Sequence, residues 1–228
     1  DEYNNEEPVK KAVFTVDDTI PEIEILQNTH DRVSGAGGYS KTILTWRSDR
    51  VGSFIVAIAD SVDNLLKATG LNMLGGVVPE IPVDTEIKAG ELTLGSNTVT
   101  ICVRDLYSGL IGCGNYSIIR DDEHPYIAES NPANNASVPP DLKEIKLKIS
   151  EPLEKPPVGE MAIKIHDGNN FNSLNIKSSN TYNEETMEWT FNEFSGFLLP
   201  EFAELKILIT LDEASDLAGN DLVLKDYS

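Results

Sequence analysis

The chain has 228 residues, of which 18 are Lys or Arg and 38 are Asp or Glu, so its formal net charge is −20. Hydrophobic residues make up 40% and charged residues 25% of it, a composition typical of globular proteins that argues against disorder throughout. The acidic balance disfavours nucleic acid as a partner, because phosphate binding requires a basic surface. The longest apolar run, residues 54–59, is strand-sized and far short of the roughly 20 residues of a membrane-spanning helix.

Hydrophobic and polar residues alternate along several segments of the chain. Alternation of period two places one face of a strand in the core and the other in solvent, as in antiparallel sheets. Residues 60–74 fit either one helical turn or a loop. We predict an all-β protein built from antiparallel β-sandwiches. The clearest alternating segments are residues 54–58, 99–103, 145–149, 161–165 and 205–211.

An octapeptide with two acids, Pro and Ile in the same register occurs at residues 16–23 and again at residues 120–127. The interval of roughly 100 residues is the length of one β-sandwich domain. Because Pro fixes φ and restricts the residue before it, each copy predicts a stiff, extended connection. We therefore place a domain boundary near residues 120–125. The predicted units are a tail, or the last strand of a preceding repeat, at residues 1–16, one domain at residues 17–122 and a second at residues 123–228.

The two cysteines, Cys102 and Cys113, flank a predicted hairpin turn centred between Tyr107 and Ser108. Residues that face each other across a hairpin have Cβ atoms close enough for a disulfide, which would also indicate an oxidising compartment. The alternative is a pair of free thiols. Redox or metal chemistry is disfavoured, since two cysteines with no nearby histidine supply only half of a zinc site.

Acidic residues gather at the predicted connection, where Asp121, Asp122 and Glu123 follow one another. Ca²⁺ binds six to eight oxygen ligands, and carboxylates between two domains can supply several of them. Alternatively, aspartates at strand ends cap turns, the other carboxylates stay solvated, and the flanking Arg120 and His124 supply positive charge. The sequence thus leaves two interpretations open, a calcium site at residues 121–123 or no cofactor at all.

Short strand and turn motifs lie along nearly the whole chain. In the second half they are residues 131–139, 149–153, 189–191, 199–209 and 216–220; in the first half they are residues 44–46, 52–56, 94–99 and the Cys102/Cys113 hairpin. At these motifs the second half resembles the immunoglobulin-like domain first described in bacterial S-layer proteins, and the first half is similar to a related bacterial repeat. The resemblance implies two tandem immunoglobulin-like sandwiches, neighbouring repeats, and a surface setting often found in lipoproteins and adhesins. A lipidated N-terminal cysteine would mark a lipoprotein, and this chain begins with Asp1.

Catalytic signatures are missing from the sequence, which contains no nucleophile elbow, zinc-protease motif or P-loop. His30, His124 and His166 lie in predicted turns or connections, so we expect no enzymatic activity. Trp46 and Trp189 lie in alternating strands, where we expect core residues rather than sugar-stacking platforms.

Two functions therefore stay open. One is a structural spacer that projects another domain from a bacterial surface. The other is an adhesin that binds a host, matrix or cell-envelope protein or a glycan, which an exposed apolar or aromatic patch would favour. In either case we expect an extracellular location at the cell surface.

Overall fold

The computed structural model describes residues 18–58, 73–166, 171–174, 179–192 and 205–224. Strands account for 60% of the structure, and no α-helix occurs within the described ranges. The prediction of an all-β protein built from antiparallel sheets is thereby confirmed. The predicted tail at residues 1–16 and residues 60–72 of the ambiguous segment lie outside the described residues.

Residues 18–120, here called the first half, contain eight described strands. They are β1 (Ile23–Asn28), β2 (Arg32–Val33), β3 (Lys41–Ser48), β4 (Gly52–Ile58), β5 (Met73–Val77), β6 (Val83–Lys88), β7 (Gly95–Asp105) and β8 (Ile111–Arg120), with a 3₁₀ turn at Ala89–Glu91. One sheet has the order β1-β3-β6 and the other β2-β8-β7-β4-β5. Neighbouring strands pair in antiparallel fashion, except that the two-residue strand β2 pairs with β8 in parallel.

Residues 126–224, the second half, contain seven described strands. They are β9 (Ile127–Asn131), β10 (Glu144–Ile149), β11 (Leu153–His166), β12 (Phe171–Leu174), β13 (Ser179–Asn183), β14 (Glu188–Asn192) and β15 (Leu205–Asp216). Four of these strands form a sheet with the order β13-β14-β10-β9, and the other three form a sheet with the order β12-β11-β15. Each half therefore has two sheets, as in a β-sandwich.

Each half has its own hydrophobic core centred on a tryptophan. Trp46 has no exposed surface, meets Phe54 edge-on with ring centroids 5.0 Å apart, and donates a hydrogen bond from Nε1 to Oγ1 of Thr85 at 2.9 Å. Trp189 is equally buried, and its ring lies 4.5 Å from that of Phe191. Both tryptophans are core residues, as predicted. In the sequence, the residues of one core cluster precede residues 120–125 and those of the other follow them.

Cys102 of β7 and Cys113 of β8 are opposite each other in the strand register and form a disulfide. The predicted pairing is confirmed. Cys102 is also buried against Ala57 on the face of the sheet that points away from the core of the first half. Simple alternation placed Cys102 toward solvent, so this strand is buried on both of its faces at this point.

Removal of the disulfide in a C102A/C113A variant should lower the free energy of unfolding of the first half by about 3 kcal/mol. The physical reason is that the bond closes a loop of roughly a dozen residues and so reduces the entropy of the unfolded chain. The chain has two tryptophans, one in each half. Tryptophan fluorescence in a W189F background therefore reports on the unfolding of the first half, and in a W46F background on the unfolding of the second. Urea denaturation followed by fluorescence should shift its midpoint in the W189F background only. Equal shifts in both backgrounds would contradict the separation of the two cores.

Candidate functional site

Residues 121–126, here called the joint, connect β8 to β9 and are bonded to both halves. On one side, the backbone N–H of Asp121 donates to the carbonyl of Val33 at 2.9 Å. On the other side, Nδ2 of Asn220 donates to the carbonyl oxygens of Asp121 at 3.0 Å and Glu123 at 2.9 Å. Asn220 has no exposed surface. The joint is therefore tied at its first residue to the first half and at two carbonyls to the second half.

The turn that follows β15, residues 216–220, is organised by Asp216. Its Oδ1 accepts hydrogen bonds from the backbone N–H groups of Ala218 and Asn220, each at 2.8 Å. Aspartate commonly stabilises a turn in this way, and Gly219 supplies the positive φ of 79° that the turn requires. Asp216 is 1% exposed. This local network fixes the direction in which the Asn220 side chain leaves the turn toward the joint.

Tyr39 of the first half packs directly on the same turn. Its backbone N–H donates to the carbonyl of Ala218 at 2.8 Å, and its hydroxyl donates to Oε2 of Glu154 at 2.7 Å. The hydrogen bond to Glu154 raises the pKa of Tyr39 to about 12, because the hydroxyl would have to give up this bond and place a second negative charge beside the carboxylate in order to ionise. At the neighbouring Gly38, an added Cβ would lie 2.2 Å from the carbonyl oxygen of Ala218. The two backbones thus approach so closely that only glycine fits.

The three acids predicted as calcium ligands occupy different surroundings. Asp122 pairs with Arg120 at 2.6 Å and accepts a hydrogen bond from the N–H of Gly35, and these contacts lower its pKa. Asp121 pairs with Arg32 at 3.2 Å. Glu123 is exposed, and its backbone N–H donates to Oδ1 of Asp121 at 3.2 Å. Of the three, Asp121 is the one that belongs to a group of closely spaced carboxylates.

A group of three carboxylates, here called the carboxylate cluster, consists of Asp121, Glu151 and Asp216. One oxygen from each lies within 4.8 Å of the other two, a spacing at which one metal ion can be shared. Glu151 lies between β10 and β11, and Asp216 ends β15. Sequence reasoning assigned these two residues to structural motifs and did not place either of them beside Asp121. The available signal was that all three acids lie at the end of a strand or within two residues after it.

Burial and charge make the carboxylate cluster unfavourable without a counter-charge. Desolvation, together with the negative charges of Asp216, Asp121 and Glu123, raises the pKa of Glu151 to about 7, while Arg32 acts in the opposite direction. Three carboxylates thus face one described guanidinium. Calcium binding at the joint stays a prediction. The carboxylates that the fold brings together are those of Asp121, Glu151 and Asp216 rather than those of residues 121–123.

The chain matches no protein-family model, and no curated protein matches it. The resemblance to bacterial immunoglobulin-like modules therefore continues to rest on the short sequence motifs. Within the described residues, no helix has the length and apolar character needed to cross a membrane.

The raised pKa of Glu151 predicts that stability falls as pH rises through its titration. The unfolded chain releases this proton near the ordinary value of 4.5, whereas the folded protein holds it until about 7. The free energy of unfolding should therefore decrease between these two values and stay low above them. In chelator, E151Q should remove this decrease and melt at a higher temperature than the parent protein at pH 8. The control E129Q neutralises an exposed acid on β9 and should follow the parent curve. If E151Q also followed it, the prediction would be wrong.

Proposed function

We propose that the chain is a non-catalytic module of a bacterial cell-surface or secreted protein, in which two immunoglobulin-like sandwiches form a spacer. The observation that carries this proposal is the bonding of the joint to both halves. Flexible linkers between independent domains are exposed and cross few contacts. Here the buried Asn220 side chain holds two carbonyls of the joint, and the backbone of Tyr39 is bonded to the turn of the second half.

A spacer has to hold its ends apart, and fixed geometry between successive domains serves that purpose. The close approach of Gly38 to Ala218 supports such geometry, because hinge motion there would separate backbones that are in direct contact. Asn220 adds a second constraint. If its amide left the joint, two carbonyl groups would lose their partner, at a cost of about 1–3 kcal/mol for each group that remained buried.

Two further properties support an extracellular setting at the bacterial surface. The Cys102–Cys113 disulfide is the kind of bond that persists in oxidising compartments. The net charge of −20 keeps copies of the protein apart and favours solubility. Neighbouring repeats of the same kind, and a lipid anchor elsewhere in the protein, belong to this proposal through the sequence resemblance.

The spacer proposal predicts that N220A loosens the joint. We expect broader interdomain motion, measured as a wider distribution of dimensions in small-angle X-ray scattering and as divergent alignment of the two halves in residual dipolar couplings. N183A is a matched control, because Asn183 organises a turn within the second half by accepting the N–H of Glu185. N183A should leave both measurements unchanged. Unaltered scattering and alignment for N220A would contradict the proposal.

A second candidate, an adhesin, is favoured by the tip of the β7–β8 hairpin. Leu106 is 66% exposed, Tyr107 is 85% exposed and Ile111 is half exposed. Exposed apolar and aromatic side chains grouped at one end of a domain are a common feature of binding surfaces.

The adhesin candidate predicts that L106A/Y107A weakens binding to a glycan array or to a panel of immobilised matrix proteins, because it removes the exposed apolar surface of the tip. L94A removes a similarly exposed leucine, at 68%, from the opposite end of β7 and should have no effect. Equal binding by the two variants would exclude the hairpin tip as the contact surface.

A further inference from the structure

We propose that Asp121, Glu151 and Asp216 bind one Ca²⁺ ion beside the joint. Geometry and charge support the ion site independently of the proposed function. Its mechanical consequence, a stiffer connection between the two halves, rests on the proposed spacer function. The ligands come from three segments that meet only in the folded protein: the start of the joint, the loop after β10 and the end of β15.

The spacing of the carboxylate oxygens suits calcium. Ca²⁺ holds its oxygen ligands at 2.3–2.6 Å, so two ligands of one ion lie at most about 5 Å apart. The three carboxylate oxygens lie within 4.8 Å of one another, which is inside that limit. Mg²⁺ demands near-ideal octahedral geometry and tends to keep its waters rather than enter a cage of protein ligands. A site built from several protein oxygens therefore favours calcium.

The charge of the site also fits a divalent cation. Among the described residues, Arg32 is the cation placed against the carboxylate cluster, through its contact with Asp121 at 3.2 Å. When Glu151 is ionised, three carboxylates and one guanidinium leave two negative charges in partly buried surroundings. Buried charges without partners are costly, and one Ca²⁺ ion would neutralise these two.

A second observation, independent of the acids, is the side chain of Asn220. Its Oδ1 is buried and has no hydrogen-bond partner in the described structure. Its Nδ2 lies 2.9–3.0 Å from three oxygens, namely Oδ2 of Asp216 and the carbonyl oxygens of Asp121 and Glu123. An amide nitrogen has two hydrogens, so it cannot satisfy all three oxygens fully.

The carboxamide of Asn220 can exchange its two end atoms by rotating about its last side-chain bond. In the calcium-bound protein the rotated group would turn Oδ1 toward Asp216 and the two carbonyls, and an ion held among these oxygens would replace the Nδ2 hydrogen bonds that tie the joint when no ion is bound. Amide and backbone carbonyl oxygens are ordinary calcium ligands. Together with the three carboxylates, they offer enough oxygens for an ion that takes six to eight ligands, water included.

The test is calorimetric titration of the 228-residue chain with CaCl₂ at pH 7.5, together with melting curves in Ca²⁺ and in chelator. We expect one ion per chain and a higher melting temperature in millimolar Ca²⁺. E151Q should bind Ca²⁺ about tenfold or more weakly and lose the shift in melting temperature, because one charged ligand is removed. In chelator, the same variant should melt above the parent protein. A residue with a purely structural role would not produce these two opposite effects.

E123Q and D122N are the matched controls, because each removes one acidic charge from the same joint without removing a member of the carboxylate cluster. D122N should bind Ca²⁺ as the parent protein does, and E123Q, whose charge acts on Glu151 without belonging to the carboxylate cluster, should lose far less affinity than E151Q. Equal weakening in E123Q and E151Q would indicate diffuse attraction and overturn the site, as would the absence of binding at millimolar Ca²⁺. An equal shift in melting temperature with Mg²⁺ would overturn the assignment to calcium.

Solution scattering separates the site from the spacer function. Reduced interdomain motion in Ca²⁺, lost in E151Q, supports both proposals. Calcium binding with unchanged interdomain motion supports the site and overturns its mechanical role.

Discussion

The hydrogen bonds of the Asn220 side chain hold together two parts of the molecule that are distant in sequence, the joint and the turn after β15. The carboxamide is fully buried, lies at the end of a turn organised by Asp216, and donates to two carbonyls of the joint. Because buried backbone carbonyls need partners, Asn220 takes the place that a neighbouring strand would take in a sheet. The connection between the two halves therefore depends on a side chain supplied from the far end of the chain, and on the turn that aims it.

The acidic residues around this connection are divided between paired and unpaired charges. Asp122 is neutralised by Arg120, and its second oxygen accepts the amide of Gly35. Asp121 has Arg32, but it also faces Glu151 and Asp216, so within the described ranges a single guanidinium serves three carboxylates. Asp216 cannot move away, because its Oδ1 stabilises the turn that positions Asn220. The turn that positions Asn220 against the joint therefore also places the buried carboxylate of Asp216 there.

Local patterns in the sequence predicted the fold well because a strand shows its buried face at every second residue. The alternation around Ile145, Leu147 and Ile149 matches their burial, and the hairpin symmetry matched the Cys102–Cys113 bond. The double burial of β7 at Cys102 was missed, since local alternation cannot show what covers the second face of a sheet.

The candidate site was harder to predict, because adjacency in sequence is a poor guide to adjacency in space along an extended segment. Successive side chains of extended backbone point to opposite sides, so Asp121 and Asp122 diverge to different arginines. The partners that Asp121 does meet, Glu151 and Asp216, arrive through tertiary packing of the second half. Reading them from the sequence would have required knowing that the ends of β8, β10 and β15 meet at the joint.

The compartment in which the protein is located would affect the occupancy of the proposed calcium site. A disulfide indicates an oxidising environment, and calcium sites in extracellular modules typically have dissociation constants of about 10⁻⁴–10⁻³ M. The proposed site has three carboxylates and several neutral oxygens, but Arg32 already pairs with one of the carboxylates, so Ca²⁺ would have to compete with a positive charge. Such a site fits that weak range better than the range of intracellular sensors. Outside the cell such a site would be filled and the carboxylate cluster neutralised. Inside a cell it would be empty, and the proton retained by Glu151 would reduce the repulsion instead. The proposed location would thus decide which of two counter-charges, a proton or a metal ion, stabilises the joint.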